Sequence, residues 1–117
     1  MGKTILLVDD DPHILETAQD ILEAAGYDIK TAESGAVALQ KVEGVPIDLM
    51  IIDYNLDDMT GIELASKAKS LRPNVVIVIM TGEVDLDLGA AKSLIYGVLT
   101  KPVHPVDLLN IIKQASH

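Results

Sequence analysis

The sequence predicts an α/β domain with a doubly wound parallel sheet, and three observations carry that expectation. Short apolar runs alternate with segments of helical period, the runs are aliphatic, and several of them end in a chemically active side chain. The expected strands are Thr4 to Val8, Asp28 to Ala32, Ile47 to Ile52, Val75 to Met80 and Gly97 to Thr100. Alternation of five such strands with helices predicts the flavodoxin-like strand order 2-1-3-4-5, flanked by five helices.

The first helix has the clearest start. Asp11 can cap it, Pro12 occupies its first turn, Ile14, Leu15, Ala18, Ile21, Leu22 and Ala25 form one face, and Gly26 follows. Further helices are expected at Ser34 to Val42, Thr60 to Leu71, roughly Asp87 to Tyr96, and Pro105 to Ala115. The segment from Asp87 is short and Gly89 interrupts it.

At 117 residues the chain fits one domain, expected over residues 1–117 around a single core. Hydrophobic residues make up 49% and aromatics only 3%, with no Phe or Trp, so the core must be aliphatic, as suits a parallel sheet covered by helices. A net charge of −9 repels phosphate backbones and anionic head groups, which argues against direct nucleic-acid or membrane binding. No cysteine is present, which excludes disulfides and thiolate metal sites. Met1-Gly2-Lys3-Thr4 leads straight into a strand, and no stretch of about 18 apolar residues occurs, so a cytoplasmic protein is expected.

Chemistry gathers at the strand ends. Asp9, Asp10 and Asp11 follow Ile5-Leu6-Leu7-Val8, and Asp53 follows Leu49-Met50-Ile51-Ile52. In the order 2-1-3-4-5, strands one and three flank the switch point where ligands bind, so Asp9, Asp10 and Asp53 are expected to meet. Clustered carboxylates repel one another unless a cation neutralises them or one keeps its proton. Thr81 and Lys101 end the fourth and fifth strands and face the same crevice. Three carboxylates against one ammonium leave two negative charges in excess, suited to a hard divalent ion. With no Cys and only scattered His13, His104 and His117, Mg²⁺ fits better than zinc. The histidines are expected at the surface, and Tyr27, Tyr54 and Tyr96 as packing residues.

These pieces, together with Met59-Thr60-Gly61-Ile62-Glu63-Leu64, Met80-Thr81-Gly82 and Leu99-Thr100-Lys101-Pro102, resemble the receiver domain of two-component response regulators over essentially the whole chain. The resemblance implies that Asp53 accepts a phosphoryl group from a histidine kinase or phosphotransfer protein, forming an acyl phosphate. It implies that Asp9, Asp10, Asp53 and the carbonyl of Asn55 hold Mg²⁺. Lys101 and Thr81 would bind phosphoryl oxygens, with the amides of Tyr54 and Gly82 as further donors. Asn55 and Glu83 would tune self-dephosphorylation, in a pairing similar to stand-alone chemotaxis receivers.

The chain departs from that pattern in three places. Val98 stands where an aromatic switch residue is usual. The stretch from Thr81 to Lys101 is about two residues short, which should shorten or unravel the fourth helix and leave a monomer or weak dimer. Asp57 replaces a common proline, which should loosen the loop after Asp53. A haloacid dehalogenase-type phosphatase would need a second Asp at position 55, where Asn55 stands, and a flavin carrier would need a first loop that does not repel phosphate. A receiver-like scaffold with little phosphorylation-driven switching remains open.

Overall fold

The computed structural model describes residues 3–83 and 85–115. Its strands are β1 (Thr4–Val8), β2 (Asp28–Ala32), β3 (Leu49–Asp53), β4 (Val76–Thr81) and β5 (Gly97–Thr100). Its α-helices are α1 (Pro12–Ala24), α2 (Gly35–Gly44), α3 (Gly61–Leu71) and α4 (Pro105–Ala115). All strands pair in parallel, in the order β2-β1-β3-β4-β5.

The fold follows from alternating burial on both faces of the sheet. Leu6, Val8, Met50, Ile52, Ile77 and Ile79 point to the face covered by α2 and α3, where Ala38, Val42, Leu64, Ala65 and Ala68 meet them. Ile5, Leu7, Ile51, Val78 and Met80 point to the other face, against Leu15, Ala18 and Leu22 of α1 and Leu108 and Ile112 of α4. Each fully buried aliphatic side chain contributes about 1.5–3 kcal/mol, so the two layers fix which way every strand faces.

Helix starts obey local chemistry. Asp11 accepts the His13 amide at 2.9 Å with Pro12 at the first position of α1, Ser34 accepts from Val37, and Thr60 accepts from Glu63. Gly26 closes α1 at φ 98°, a conformation a side chain would strain.

The fourth flanking helix is shortened, as the short stretch from Thr81 to Lys101 led us to expect: it is a 3-10 helix, Gly89–Leu94, without a buried residue. Gly89 takes φ 55°, its amide donates to Asp87 Oδ1 at 2.9 Å, and the residue at the cap position, Leu88, has no side chain able to cap; neighbouring Leu86 and Ile95 pack partly on the core. Strand β3 begins two residues later than expected because Pro46 and Ile47 lead in as loop, although Ile47 is buried. Tyr96, expected to pack, is 49% exposed, whereas Tyr54 and Tyr27 each pack on a core layer. His13 and His104 are exposed as expected, and His117 lies outside the described residues. Among the described residues no helix is long and apolar enough to cross a membrane.

Candidate functional site

Register brings the strand ends level. Val8 pairs with Ile52 and Asp53 with Met80, so Asp9, Asp53 and Thr81 emerge side by side at the carboxyl edge of the sheet. Thr81 pairs with Thr100, which places Lys101 at the same edge. Carboxylate oxygens of Asp9, Asp10 and Asp53 all lie within 4.8 Å of one another.

Lys101 closes the cluster. Its Nζ lies 3.1 Å from Asp9 Oδ2 and 3.2 Å from Asp53 Oδ1. Burial works against the ammonium's charge, but hydrogen bonding and attraction to Asp9 and then Asp53 outweigh it and hold its pKa above 10.5. Asp9 is fully buried. Desolvation pushes its carboxyl above 3.8, aided by repulsion from Asp53 and opposed by the Asp11 amide, at 2.9 Å from Oδ1, and by Lys101.

The remaining expected residues are distributed around this centre. Thr81 is buried, and its Oγ1 accepts the Glu83 amide at 3.0 Å, so the hydroxyl proton can serve another acceptor. The Tyr54 amide donates to the Met80 carbonyl at 2.8 Å and would have to exchange partners to reach an anion. Asn55 forms a bridge with Thr60 whose bonds run from Gly61 N to Tyr54 O and from Leu56 N to Met59 O. That pattern leaves the Asn55 carbonyl outside the pairing. Gly82 and Glu83 are exposed at the rim. Val98 is 38% exposed on β5.

Two acids of the β3–α3 loop had no site role in the sequence reading. Asp58 accepts the amides of Gly35 and Ala36, at 2.9 and 3.0 Å, and those bonds hold its carboxyl below 3.8. Asp57 meets Asp10, whose charge and shared hydrogen bond push the Asp57 carboxyl above 3.8. The Asn55–Thr60 bridge and the Asp58 clamp tie the loop on both sides of Asp57. The only sequence signal was the doubled acid itself.

The donor set suits a hard cation. Oxygens at roughly 2.1 Å from one magnesium ion lie about 3–4 Å apart, so three carboxylates gathered within 4.8 Å need little movement to share it.

The sequence matches the response regulator receiver domain family over residues 5–113. The chain belongs to that family. It is 34% identical to the response regulator receiver protein CpdR of Brucella abortus, over 96% of this chain and 95% of that one. It is also 34% identical to the transcriptional regulatory protein GlrR of Escherichia coli, over 95% of this chain but 26% of GlrR, so the receiver spans about a quarter of that relative. A CheY-like receiver domain from Methanospirillum hungatei superposes with a TM-score of 0.88 at 36% identity, covering 97% of this chain and 93% of that one. The chemotaxis response regulator CheY4 of Vibrio cholerae gives 0.91 at 29% identity, covering 98% and 99%. TrrA of Thermotoga maritima, solved in complex with Mg²⁺-BeF, gives 0.89 at 28% identity, covering 97% and 98%. Membership places this receiver in phosphorylation-based two-component signalling, a family whose members bind Mg²⁺ at an acidic pocket and interact with histidine kinases or phosphotransfer proteins.

Proposed function

We propose that this receiver accepts a phosphoryl group on Asp53 from a phosphohistidine of a sensor kinase or phosphotransfer protein. The observation that carries the reading is Lys101 Nζ held between Asp9 and Asp53. A lysine fixed beside the attacking carboxylate supplies the positive charge that an arriving phosphoryl oxygen needs.

An Asp53 oxygen attacks phosphorus, the phosphorus–nitrogen bond to the donor imidazole breaks, and the imidazole leaves with that electron pair. Asp9, Asp10, Asp53 and the Asn55 carbonyl would hold Mg²⁺, which neutralises the phosphoryl charge when bound. Lys101 then exchanges carboxylate partners for a phosphoryl oxygen. The Thr81 hydroxyl donates to another, with the amides of Tyr54 and Gly82 as further donors. Asn55 and Glu83 flank the water path at the rim and tune loss of the phosphoryl group. The resulting change in contacts shifts the population of states that bind a downstream protein. We place the protein in the cytoplasm as a monomer or weak dimer, without direct nucleic-acid or membrane binding.

Incubation with Mg²⁺ and acetyl phosphate, followed by intact mass measurement, tests the reading. A single phosphoryl adduct is expected, absent in Asp53→Ala; no adduct, or one that survives the substitution, overturns it.

A second reading, a receiver-like scaffold with little switching, draws on the exposed Val98. A branched aliphatic has no ring to bury or release. The readings separate if the adduct forms while backbone amide signals change only at the pocket and not along β5.

A further inference from the structure

The loop from β3 to α3 folds back on itself as a tight hairpin. Asn55 bridges Thr60, Gly61 N donates to Tyr54 O and Leu56 N to Met59 O, and Leu56 is buried in the core layer beneath. The hairpin moves as one piece, so whatever holds its tip also holds Asn55.

The tip is held by α2. Asp58 Oδ1 accepts the Gly35 amide at 2.9 Å and Oδ2 the Ala36 amide at 3.0 Å, partners 23 and 22 residues away in the chain. The first amides of a helix have no acceptor within it, and a carboxylate is a strong one. Ser34 Oγ takes the next amide, Val37, and the Ser34 carbonyl takes Ala38, so the start of α2 is satisfied by two side chains of which one belongs to the loop. Met59 closes the same contact: a Cβ on Gly35 would lie 2.5 Å from its sulfur, so the bare glycine is what lets the loop come this close. Asp58 is exposed, yet both its oxygens are committed to α2.

We propose that Asp58 is a positioning residue for the phosphoryl-acceptor site: by anchoring the loop to α2 it fixes the Asn55 carbonyl relative to Asp9, Asp10 and Asp53, and so sets how tightly the site holds a divalent cation. This rests on the reading of the trio and Asn55 as Mg²⁺ ligands. Asp53 ends β3 and is held by the sheet, whereas Asn55 stands two residues further on and has only the hairpin and its anchor to hold it. Magnesium demands near-ideal octahedral geometry, so a ligand free to wander lowers affinity. An anchor that never touches the ion acts here as outer partners of metal ligands do.

A Mg²⁺ titration of the full chain, followed by backbone amide shifts, reads affinity without any phosphoryl transfer. Asp58→Ala is expected to weaken binding about fivefold, less than the tenfold or more typical of partners bonded directly to a ligand. Asp58→Glu keeps the charge but carries its oxygens one methylene further, and is expected to lose most of the same affinity. Ser34→Ala removes the other side-chain cap of α2 and leaves the loop anchor in place. It should lower the urea midpoint as Asp58→Ala does, yet bind Mg²⁺ as the parent does. Parent-like affinity in Asp58→Ala overturns the proposal, and parent-like affinity in Asp58→Glu alone overturns it in favour of a plain charge effect. Equal weakening in Ser34→Ala overturns it as well, because affinity would then follow the stability of α2 and not the anchor. If the unsubstituted chain shows no saturable response, the cation reading itself fails and takes this proposal with it.

Discussion

Lys101 Nζ stands 3.2 Å from Asp53 Oδ1, although β4 lies between the strands that deliver the two residues. The contact is made over the end of β4, where Thr81 is buried. Lys101 thus pins the two halves of the carboxyl edge together while partly neutralising it. Replacing it leaves buried Asp9 without its cation. Lys101→Met is expected to lower unfolding free energy in EDTA by about 1–2 kcal/mol, less than for a fully buried pair because the lysine is partly exposed. Urea denaturation monitored by circular dichroism measures it, and unchanged stability would show the pair to be energetically idle.

Asp53→Asn keeps the shape of the side chain and one oxygen for Lys101, but removes the anionic nucleophile. The variant is expected to fold normally and to give no phosphoryl adduct with acetyl phosphate. Chelation of Mg²⁺ should suppress the adduct in the unsubstituted chain as well. Lost folded-state signals in Asp53→Asn would contradict the first expectation, and full adduct formation in EDTA the second.

Repulsion in the cluster makes it a reservoir of instability that a cation relieves. Mg²⁺ is expected to raise the unfolding free energy by RT ln(1 + [Mg²⁺]/Kd), about 2.7 kcal/mol at a hundred times Kd, and the melting temperature with it. Asp10→Asn removes one repelling charge, so it should raise the melting temperature by about 4 °C in EDTA and abolish most of the gain from Mg²⁺. Differential scanning calorimetry with and without the ion tests both halves; a variant that gains nothing in EDTA would refute the repulsion.

The pH dependence has the same sign at its two ends, since both groups hold their protons more tightly in the folded chain. Asp9 has a folded pKa above its ordinary 3.8, so between those values the folded chain keeps a proton that the unfolded chain has released. Stability therefore falls as pH rises through that window, and Asp9→Asn should remove this part of the slope. Lys101 has a folded pKa above 10.5, so its contribution is complete below 10.5 and disappears as pH rises through the folded value. Denaturation midpoints in EDTA across the pH range, compared between variant and parent, decide it. A parent less stable than Asp9→Asn only at the acid end would reverse the assigned sign.

What the sequence made legible was whatever period and strand polarity control. Aliphatic runs such as Ile5 to Val8 and Leu49 to Ile52 announce parallel strands, and parallel strands deliver their next residues to one edge, so Asp9, Asp53, Thr81 and Lys101 converge as expected. The cap at Asp11 was readable because the amide it accepts lies two residues away. The Asp58 clamp was not, because it spans 23 residues and depends on how α2 is set against α3. The reduction of the fourth helix to a 3-10 segment was half visible in Gly89, while its lack of buried residues depends on packing that no local pattern encodes.

Gly61 gives the sharpest test of how tightly the acceptor strand is held. It opens α3, where alanine would ordinarily stabilise a helix by up to about 1 kcal/mol. Here an added Cβ would lie 2.5 Å from the Asp53 carbonyl oxygen and 3.0 Å from Tyr54 Cα, both backbone atoms, while Gly61 N donates to Tyr54 O at 2.7 Å. Backbone cannot swing aside as a side chain can, so α3 or the end of β3 must move. Gly61→Ala is expected to cost about 1–3 kcal/mol and to slow formation of the Asp53 adduct by displacing the strand end that carries it. Gly35→Ala meets only the flexible Met59 side chain, so it should cost less and leave the adduct rate closer to normal. Urea denaturation and timed intact-mass measurements on both variants make the comparison, and Gly61→Ala as stable as the parent would mean that the strand end yields freely.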